Sequence, residues 1–217
     1  MTSFYIDSAD RLVVEQLLQT GLIAGMTTNP TLLRASGVRN DEIPQLVKWF
    51  TGAGARVVFV QAWGSDADEL ERRGRELRAI DERLVVKLPA TAAGLTATAR
   101  LAGDGIPVLV TAVYAAAQVL PAIVAGASHI APYLGRINDA GRDGVAEIAA
   151  MQRVIDASGS SLRILVASLR SPADALRLAE LGVQEFTVAP AVWRQFFDDA
   201  LTDAAVKVFE QASAAGS

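Results

Sequence analysis

The chain has 217 residues, of which 51% are hydrophobic and 20% charged, and a mean hydropathy of +0.29, which favours one domain with a large core. A net charge of −4 and a pI near 5.1 argue against a nucleic-acid-binding surface. Cysteine is absent, which excludes disulfides, thiolate nucleophiles and cysteine-bound metals. The single histidine, His129, argues against a zinc hydrolase and a serine–histidine relay. No metal and no cofactor are expected.

The sequence contains no window near the roughly 18 consecutive apolar residues that a membrane span needs. The first seven residues lack the basic start and long apolar run of a signal peptide. We therefore expect a cytoplasmic protein without a membrane partner. His129 lies in the apolar run 128–131, which is typical of a hydrogen-bonded core histidine.

The hydrophobic pattern predicts strands that alternate with helices. Strands are expected at 3–7, 22–26, 56–62, 84–88, 106–111, 128–133, 162–168 and 185–189. Helices are expected at about 9–20, 31–35, 41–51, 65–80, 92–102, 113–124 and 145–157, after Ser171-Pro172, and at 191–199 and 203–213. Thr91 and Ser171 are expected caps, and Ser65 with Asp68 is expected to open the helix that ends near Ile80.

Short turns and no long apolar hairpins favour a parallel sheet, and eight strand–helix units predict closure into a (β/α)8 TIM barrel formed by residues 1–217. An open doubly wound sheet is the alternative, but no Gly-x-Gly-x-x-Gly follows the first strand. Two segments carry local expectations. One face of the helix at 113–124 is apolar, and Pro121 should kink or split that helix. Residues 134–144 are polar and glycine-bearing, which predicts a loop.

Lys87 lies near the C-terminal end of a strand whose other residues, from Leu84 to Leu88, are apolar. A lysine there is costly unless it reaches solvent, pairs with a carboxylate or loses its charge. Desolvation favours the neutral amine, and a free amine attacks ketones to form a Schiff base. The only other lysines, Lys48 and Lys207, fall in polar-faced helical patterns.

Polar residues occupy the predicted C-terminal ends of seven strands, the face where barrel enzymes build their active sites. They are Asp7, Thr27-Thr28-Asn29, Gln61, Lys87, Thr111, Tyr133 with Arg136, and Ser168 with Arg170. Helix capping accounts for a few of these, but not for a carboxylate, an amide, an amine and a phenol together.

These residue types can perform aldol chemistry. An iminium on Lys87 acts as an electron sink, so that a neighbouring C–C or C–H bond can break to leave an enamine. Asp7 and Tyr133 are the candidate acid and base, working through a water held by Gln61 and Thr111. Arg136, Arg170 and Ser168, with the backbone amides of 141–144, form a candidate anion site suited to a phosphate monoester.

Six ordered blocks resemble the small transaldolase/fructose-6-phosphate aldolase family from about residue 4 to 209. They are Phe4–Ser8, Gly25–Pro30, Val85–Pro89, Thr111–Tyr114, Ala131–Arg136 and Ala167–Ser168. The resemblance implies a class I aldolase barrel with Lys87 as the Schiff-base lysine and Asp7 acting on substrate hydroxyls and protons. It places Thr27 and Asn29 at the donor site, the catalytic water on Gln61, Thr111 and Tyr133, and the acceptor phosphate on Arg136 and Ser168.

Within this family, transaldolases carry a glutamate at the position of Gln61 and a phenylalanine at that of Tyr133, which indicates the aldolase branch. Thr31, Gly135, Leu169 and Pro121 depart from the usual pattern, and Gly135 is the transaldolase-like residue. The resemblance also implies a homo-oligomeric ring, a pentamer or decamer, in which the terminal helix at about 203–213 packs on a neighbouring subunit.

The expected function is an aldolase that joins or splits a dihydroxyacetone-type ketone and an aldehyde such as glyceraldehyde 3-phosphate, with fructose 6-phosphate as a product or substrate. A transaldolase that transfers the dihydroxyacetone unit between sugar phosphates is the alternative within the enzyme class. A sugar-phosphate-binding barrel without catalysis is the alternative from another class.

Overall fold

The computed structural model describes residues 2–215, which form a closed barrel of eight parallel strands in the order β1 to β8. The strands are β1 Ser3–Asp7, β2 Ile23–Thr27, β3 Val57–Gln61, β4 Leu84–Pro89, β5 Val108–Val113, β6 His129–Pro132, β7 Arg163–Val166 and β8 Glu185–Val188. The predicted (β/α)8 barrel is confirmed, because helices follow every strand on the outside of the barrel.

The helices are α1 Arg11–Gln19, α2 Pro30–Ala35, α3 Ile43–Gly52, α4 Ala67–Arg78, α5 Ala92–Gly103, α6 Val119–Val124, α7 Leu134–Asp139, α8 Gly144–Ser158, α9 Pro172–Ala179, α10 Pro190–Arg194 and α11 Ala200–Ala215. Short 3-10 turns lie at Asn40–Glu42, Ala116–Gln118 and Gln195–Phe197. None of the helices within residues 2–215 has the length and apolar content needed to cross a membrane.

Side chains that face into the barrel form a buried inner cluster. Its members are Tyr5, Ala24, Phe59, Val85, Leu109, Ala131 and Leu165. Because side chains alternate along a strand, the residue two positions further on also faces inward. That alternation brings Asp7, Gln61, Lys87, Thr111 and Tyr133 to the C-terminal mouth, directly above the inner cluster.

Helix caps explain several of the element boundaries. Thr91 Oγ1 accepts from the Gly94 amide at 3.1 Å, and Ser171 caps α9 ahead of Pro172, as predicted. The expected cap at Ser65 is wrong, because Asp66 adopts the extended backbone and accepts from the Glu69 amide at 2.9 Å. The N-cap of this helix therefore lies one residue later than the sequence suggested.

The single helix expected at 113–124 is wrong. Strand β5 runs on to Val113, a 3-10 turn follows, and α6 buries Val119 and Ala122 while Val124 is 88% exposed. Pro121 lies in the first turn of α6, where its missing N–H costs no helical bond. A continuous helix would have required an N–H at that position, so the segment is divided.

The loop expected at 134–144 is also wrong in its first half, because Leu134–Asp139 forms α7. The amides of Gly141 and Arg142 donate to carbonyls of α7, and the Gly144 amide donates to Asn138 Oδ1 at 2.9 Å. Three of the amides proposed for an anion site are therefore already occupied. The prediction that the backbone amides of this loop bind an anion is therefore wrong for Gly141, Arg142 and Gly144.

Candidate active site at the C-terminal mouth of the barrel

A cavity of about 110 Å³ lies at the C-terminal mouth of the barrel. It is lined by Asp7, Thr27, Asn29, Lys87, Leu109, Ala131, Tyr133, Arg136, Leu165, Ala167, Ser168 and Thr187. A larger cavity of about 630 Å³ opens at the opposite end, but its lining contains no lysine. Nine of the ten residues assigned to catalysis and binding from sequence line the small cavity, hydrogen-bond to its lining or lie beside Lys87, and Arg170 is the exception. The mouth cavity is therefore the candidate active site.

Lys87 is 5% exposed, and its amine points into the mouth cavity. Its Nζ donates to the Thr28 carbonyl oxygen at 2.9 Å, and no carboxylate oxygen of residues 2–215 lies within 4 Å of it. Burial lowers the pKa of this lysine, and the negative charge of Asp7 partly opposes that effect. The amine is thus held in place without an ion pair, and burial favours its neutral, nucleophilic form.

Asp7 ends β1 and belongs to a short chain of hydroxyl groups. The Thr27 hydroxyl lies 2.6 Å from Asp7 Oδ1 and 2.6 Å from the Thr187 hydroxyl. Both threonines are almost fully buried. This arrangement fixes one carboxylate oxygen, so the other can face a substrate.

Tyr133 follows β6, and its hydroxyl lies 2.8 Å from the Thr111 hydroxyl. Burial raises the pKa of Tyr133, and the Thr111 hydrogen bond acts against that rise. The phenol is therefore protonated at neutral pH and can donate a proton. Gln61 is half-buried and pairs with Lys87 in the β3–β4 register, which places both side chains on the inner side. Gln61 is beside the cavity rather than in its lining.

Arg136 projects from α7 over the cavity and is held by two tyrosines. Its guanidinium lies 5.1 Å from the Tyr133 ring centre and donates to the Tyr114 hydroxyl at 3.4 Å. The two rings meet edge to face at 5.6 Å. A cation stacked on an aromatic face keeps its donors free at the edges, which suits a phosphate.

Ser168 also lines the cavity and has a left-handed backbone with φ of 60°. Its carbonyl accepts from the Gly135 amide at 2.9 Å. A Cβ at position 135 would lie 2.5 Å from that carbonyl oxygen and 2.7 Å from Arg170 Nε, so only glycine lets α7 approach β7 this closely. Arg170 itself is exposed, pairs with Asp139 and lies outside the cavity lining.

The structure adds residues that the sequence reasoning missed. Thr187 brings a polar group from β8, the one strand to which none had been assigned. Tyr114 supports Arg136, as described above. The inward alternation of β8 could have revealed Thr187, whereas the turn that carries Tyr114 was taken for a helix. Within residues 2–215 no group of three or more histidine or acidic residues is placed to hold a metal ion.

Solved structures with the same fold are distant in sequence. A thiamine phosphate pyrophosphorylase from Pyrococcus furiosus matches with a TM-score of 0.61 and 13% identity, covering 88% of this chain and 87% of its own. A mutant flavocytochrome b2 with pyruvate bound matches with a TM-score of 0.62 and 13% identity, covering 86% of this chain and 56% of its own. These likenesses concern the barrel alone.

Sequence comparison is more specific. A probable transaldolase of Geobacter metallireducens is 35% identical over 206 residues, which cover 95% of each chain. A probable transaldolase of Hyphomonas neptunium is 38% identical over 208 residues, covering 95% of this chain and 94% of its own. The family described as Transaldolase/Fructose-6-phosphate aldolase matches residues 4–217. With its barrel, its buried lysine and these relatives, the chain belongs to the transaldolase/fructose-6-phosphate aldolase family.

Proposed function

We propose that this protein is a class I aldolase that reversibly cleaves fructose 6-phosphate or a related ketose into a dihydroxyacetone-type ketone and an aldehyde such as glyceraldehyde 3-phosphate. The observation that carries the proposal is the Lys87 amine, which is desolvated and free of any carboxylate partner among residues 2–215 while it faces the same cavity as Asp7 and Tyr133.

The reaction begins when the Lys87 amine adds to the ketone carbon to give a carbinolamine. Loss of water leaves a protonated imine, whose positive charge withdraws electrons from the neighbouring C–C bond. Asp7 takes the proton of the hydroxyl on the departing carbon, the bond breaks, and the aldehyde leaves an enamine on Lys87. Protonation of the enamine carbon and hydrolysis then release the ketone and regenerate the amine.

Three further groups are assigned to the exchange of water and protons. Tyr133 supplies a neutral phenol already bound to Thr111, and Gln61 lies next to Lys87 in the sheet. We assign these three groups to the water that enters and leaves during imine formation and hydrolysis. Thr27 and Asn29 line the part of the cavity assigned to the donor ketone.

A transaldolase is the second candidate, because the curated relatives carry that name. It would retain the dihydroxyacetone unit on Lys87 until a second aldehyde arrived. Gln61 and Tyr133 favour the aldolase, since an amide and a phenol can support hydrolysis of the intermediate. A non-catalytic sugar-phosphate-binding barrel would make no use of a desolvated amine that faces the cavity, and is the weakest candidate.

Borohydride reduction in the presence of dihydroxyacetone, followed by peptide mass mapping, tests the proposal. We expect a single reduced adduct on Lys87, with the exposed Lys48 and Lys207 unmodified as internal controls. An adduct on either control lysine, or the absence of an adduct on any lysine, would overturn the mechanism. Release of free dihydroxyacetone from fructose 6-phosphate then supports the aldolase, and turnover only with added erythrose 4-phosphate supports the transaldolase.

Tyr133→Phe should shift activity from ketone release towards transfer, because the variant loses the phenol that supports hydrolysis of the imine. We expect free dihydroxyacetone formation to fall by about 10- to 100-fold, as for loss of one acid–base group, while transfer to erythrose 4-phosphate falls less. Tyr5→Phe is the matched control, since Tyr5 is buried in the same barrel below the site. Equal losses of both activities in Tyr133→Phe would contradict this role.

Arg136→Gln should weaken recognition of the phosphate. We expect kcat/KM to fall by about 10- to 100-fold for glyceraldehyde 3-phosphate in the synthetic direction, and little for unphosphorylated glyceraldehyde, since a charge-assisted pair is lost. Arg170→Gln should change either value less than about threefold, because that guanidinium is exposed and already paired with Asp139. A larger loss of kcat/KM in Arg170→Gln would indicate that the phosphate binds nearer to Arg170, at the rim of the cavity.

We infer a homo-oligomer in which α11 packs on a neighbouring subunit. Leu201, Val208 and Phe209 on this helix are each at least 60% exposed, so these three apolar side chains are largely uncovered by the rest of the described chain. A chain shortened after Asp199 should elute and scatter light as a monomer, whereas the full chain forms the ring. A full-length monomer would refute the assignment.

A further inference from the structure

Thr187 lines the candidate active-site cavity from β8, and its hydroxyl is connected to Asp7 through Thr27. It is 3% exposed, and its hydroxyl lies 2.6 Å from the hydroxyl of Thr27, which in turn lies 2.6 Å from Asp7 Oδ1. Thr187 makes no other side-chain hydrogen bond within residues 2–215. Among the described residues, this one hydrogen bond therefore satisfies the buried Thr187 hydroxyl.

Counting protons fixes the direction of the chain of hydrogen bonds. An ionised carboxylate only accepts, so Thr27 donates its single hydroxyl hydrogen to Asp7. The Thr27 oxygen can then only accept from Thr187, which must be the donor. The two hydroxyl groups point the same way and polarise each other towards the negative charge.

We propose that Thr187 is a positioning residue which, acting through Thr27, fixes Asp7 Oδ1, so that Oδ2 faces the substrate hydroxyl. Within the described chain Oδ2 accepts no hydrogen bond. The inference rests on the proposed function for its catalytic meaning, but the hydrogen-bond chain itself can be tested on the protein without substrate.

The direct test is the carboxyl-carbon NMR spectrum, at neutral pH, of protein labelled at aspartate, with the Asp7 signal identified by its absence in Asp7→Asn. In Thr187→Val, which keeps the shape and removes the hydroxyl, we expect the Asp7 carboxyl signal to change its chemical shift and to broaden, because the hydrogen bond to Oδ1 is weakened. Thr187→Ser restores the hydroxyl and should return the signal towards the wild-type position. An unchanged Asp7 signal in Thr187→Val would overturn the proposal.

A matched control separates this effect from general loss of packing. Thr98 is fully buried, and its hydroxyl donates only to the Gly94 carbonyl of its own helix at 2.7 Å. Thr98→Val should leave the chemical shift of the Asp7 carboxyl signal unchanged. In a Thr27→Val background, Thr187→Val should add no further shift, because the connection to Asp7 is already broken. An additional shift there would show that Thr187 acts by another route.

Kinetic measurements then test whether this chain of hydrogen bonds contributes to catalysis. We expect Thr187→Val to lower kcat by about three- to tenfold while KM changes less, because the positioned carboxylate acts in the chemical step. If wild-type protein fails to trap dihydroxyacetone on Lys87, the proposed function fails while the NMR result still decides the hydrogen-bond chain. If trapping succeeds and the Asp7 carboxyl signal does not change in Thr187→Val, this inference alone fails.

Discussion

Replacing Lys87 with methionine abolishes turnover and removes the borohydride-trapped adduct, with an expected loss in kcat of at least about 10⁴-fold. Methionine matches the length of lysine but has no amine to attack the ketone. Lys48→Met is the matched control, because Lys48 is exposed on α3 and should leave activity unchanged. Activity that survives in Lys87→Met would rule out an imine on this residue.

The same variant makes a prediction about stability. Burial lowers the pKa of Lys87 in the folded state, so the unfolded chain binds the lysine proton more tightly. The buried lysine therefore costs stability at neutral pH, and this cost shrinks as pH rises towards the ordinary lysine pKa. Lys87→Met should be more stable than wild type by about 1 kcal/mol or more at pH 7.

Denaturant unfolding at several pH values measures this difference. The gap between Lys87→Met and wild type should narrow from pH 7 to pH 10, whereas Lys48→Met should show no such gap. Together with the loss of turnover, higher stability would be the signature of a residue kept for chemistry at the expense of the fold. A less stable Lys87→Met would show that the amine stabilises the mouth of the barrel through its bond to Thr28.

Replacing Asp7 with asparagine lowers kcat by about 10²- to 10³-fold, because asparagine cannot accept the proton of the substrate hydroxyl. It should also extend Lys87 trapping to lower pH. The negative charge of Asp7 raises the pKa of Lys87, so its removal leaves more neutral amine in acid. Slower turnover with trapping that survives to lower pH distinguishes a lost proton acceptor from a collapsed site.

Asp10→Asn is the control for that experiment. Asp10 caps α1 by accepting from the Val13 amide at 3.1 Å, and asparagine caps a helix equally well. Both changes remove one carboxylate from the same segment, but Asp10 is exposed and outside the cavity. Equal kinetic losses in the two variants would point to a general electrostatic effect rather than to a role for Asp7 itself.

The local chemistry of the chain was sufficient to predict the positions of the strands and the residues at their ends. Strand β4 could be read from its apolar run and from Pro89, and Asp7 follows directly from the short β1 pattern. These features depend on neighbours in the sequence, which is why the barrel and the Lys87 site were predictable. The family resemblance assigned the same roles to Gln61 and Arg136 as their chemistry had suggested.

Tertiary contacts decided the rest. Residues 134–139 are polar enough for a loop, but Gly135 lets them pack as a helix against the end of β7. Acceptors on that helix then take the hydrogen bonds of three amides that had been expected to bind an anion. Val124 has the spacing of a buried residue, yet the turn after Val113 rotates it to the surface.

What the sequence alone determined is the order of strands and helices and the residue types at the barrel mouth, because both follow from short-range periodicity. What only the tertiary structure decided is which donors remain free there. Arg170 turns to Asp139, Arg136 is stacked on Tyr133, and Thr187 points through Thr27 to Asp7. Such partnerships join residues as far as 160 positions apart, and hydrogen bonding over that distance is set by strand register rather than by local pattern.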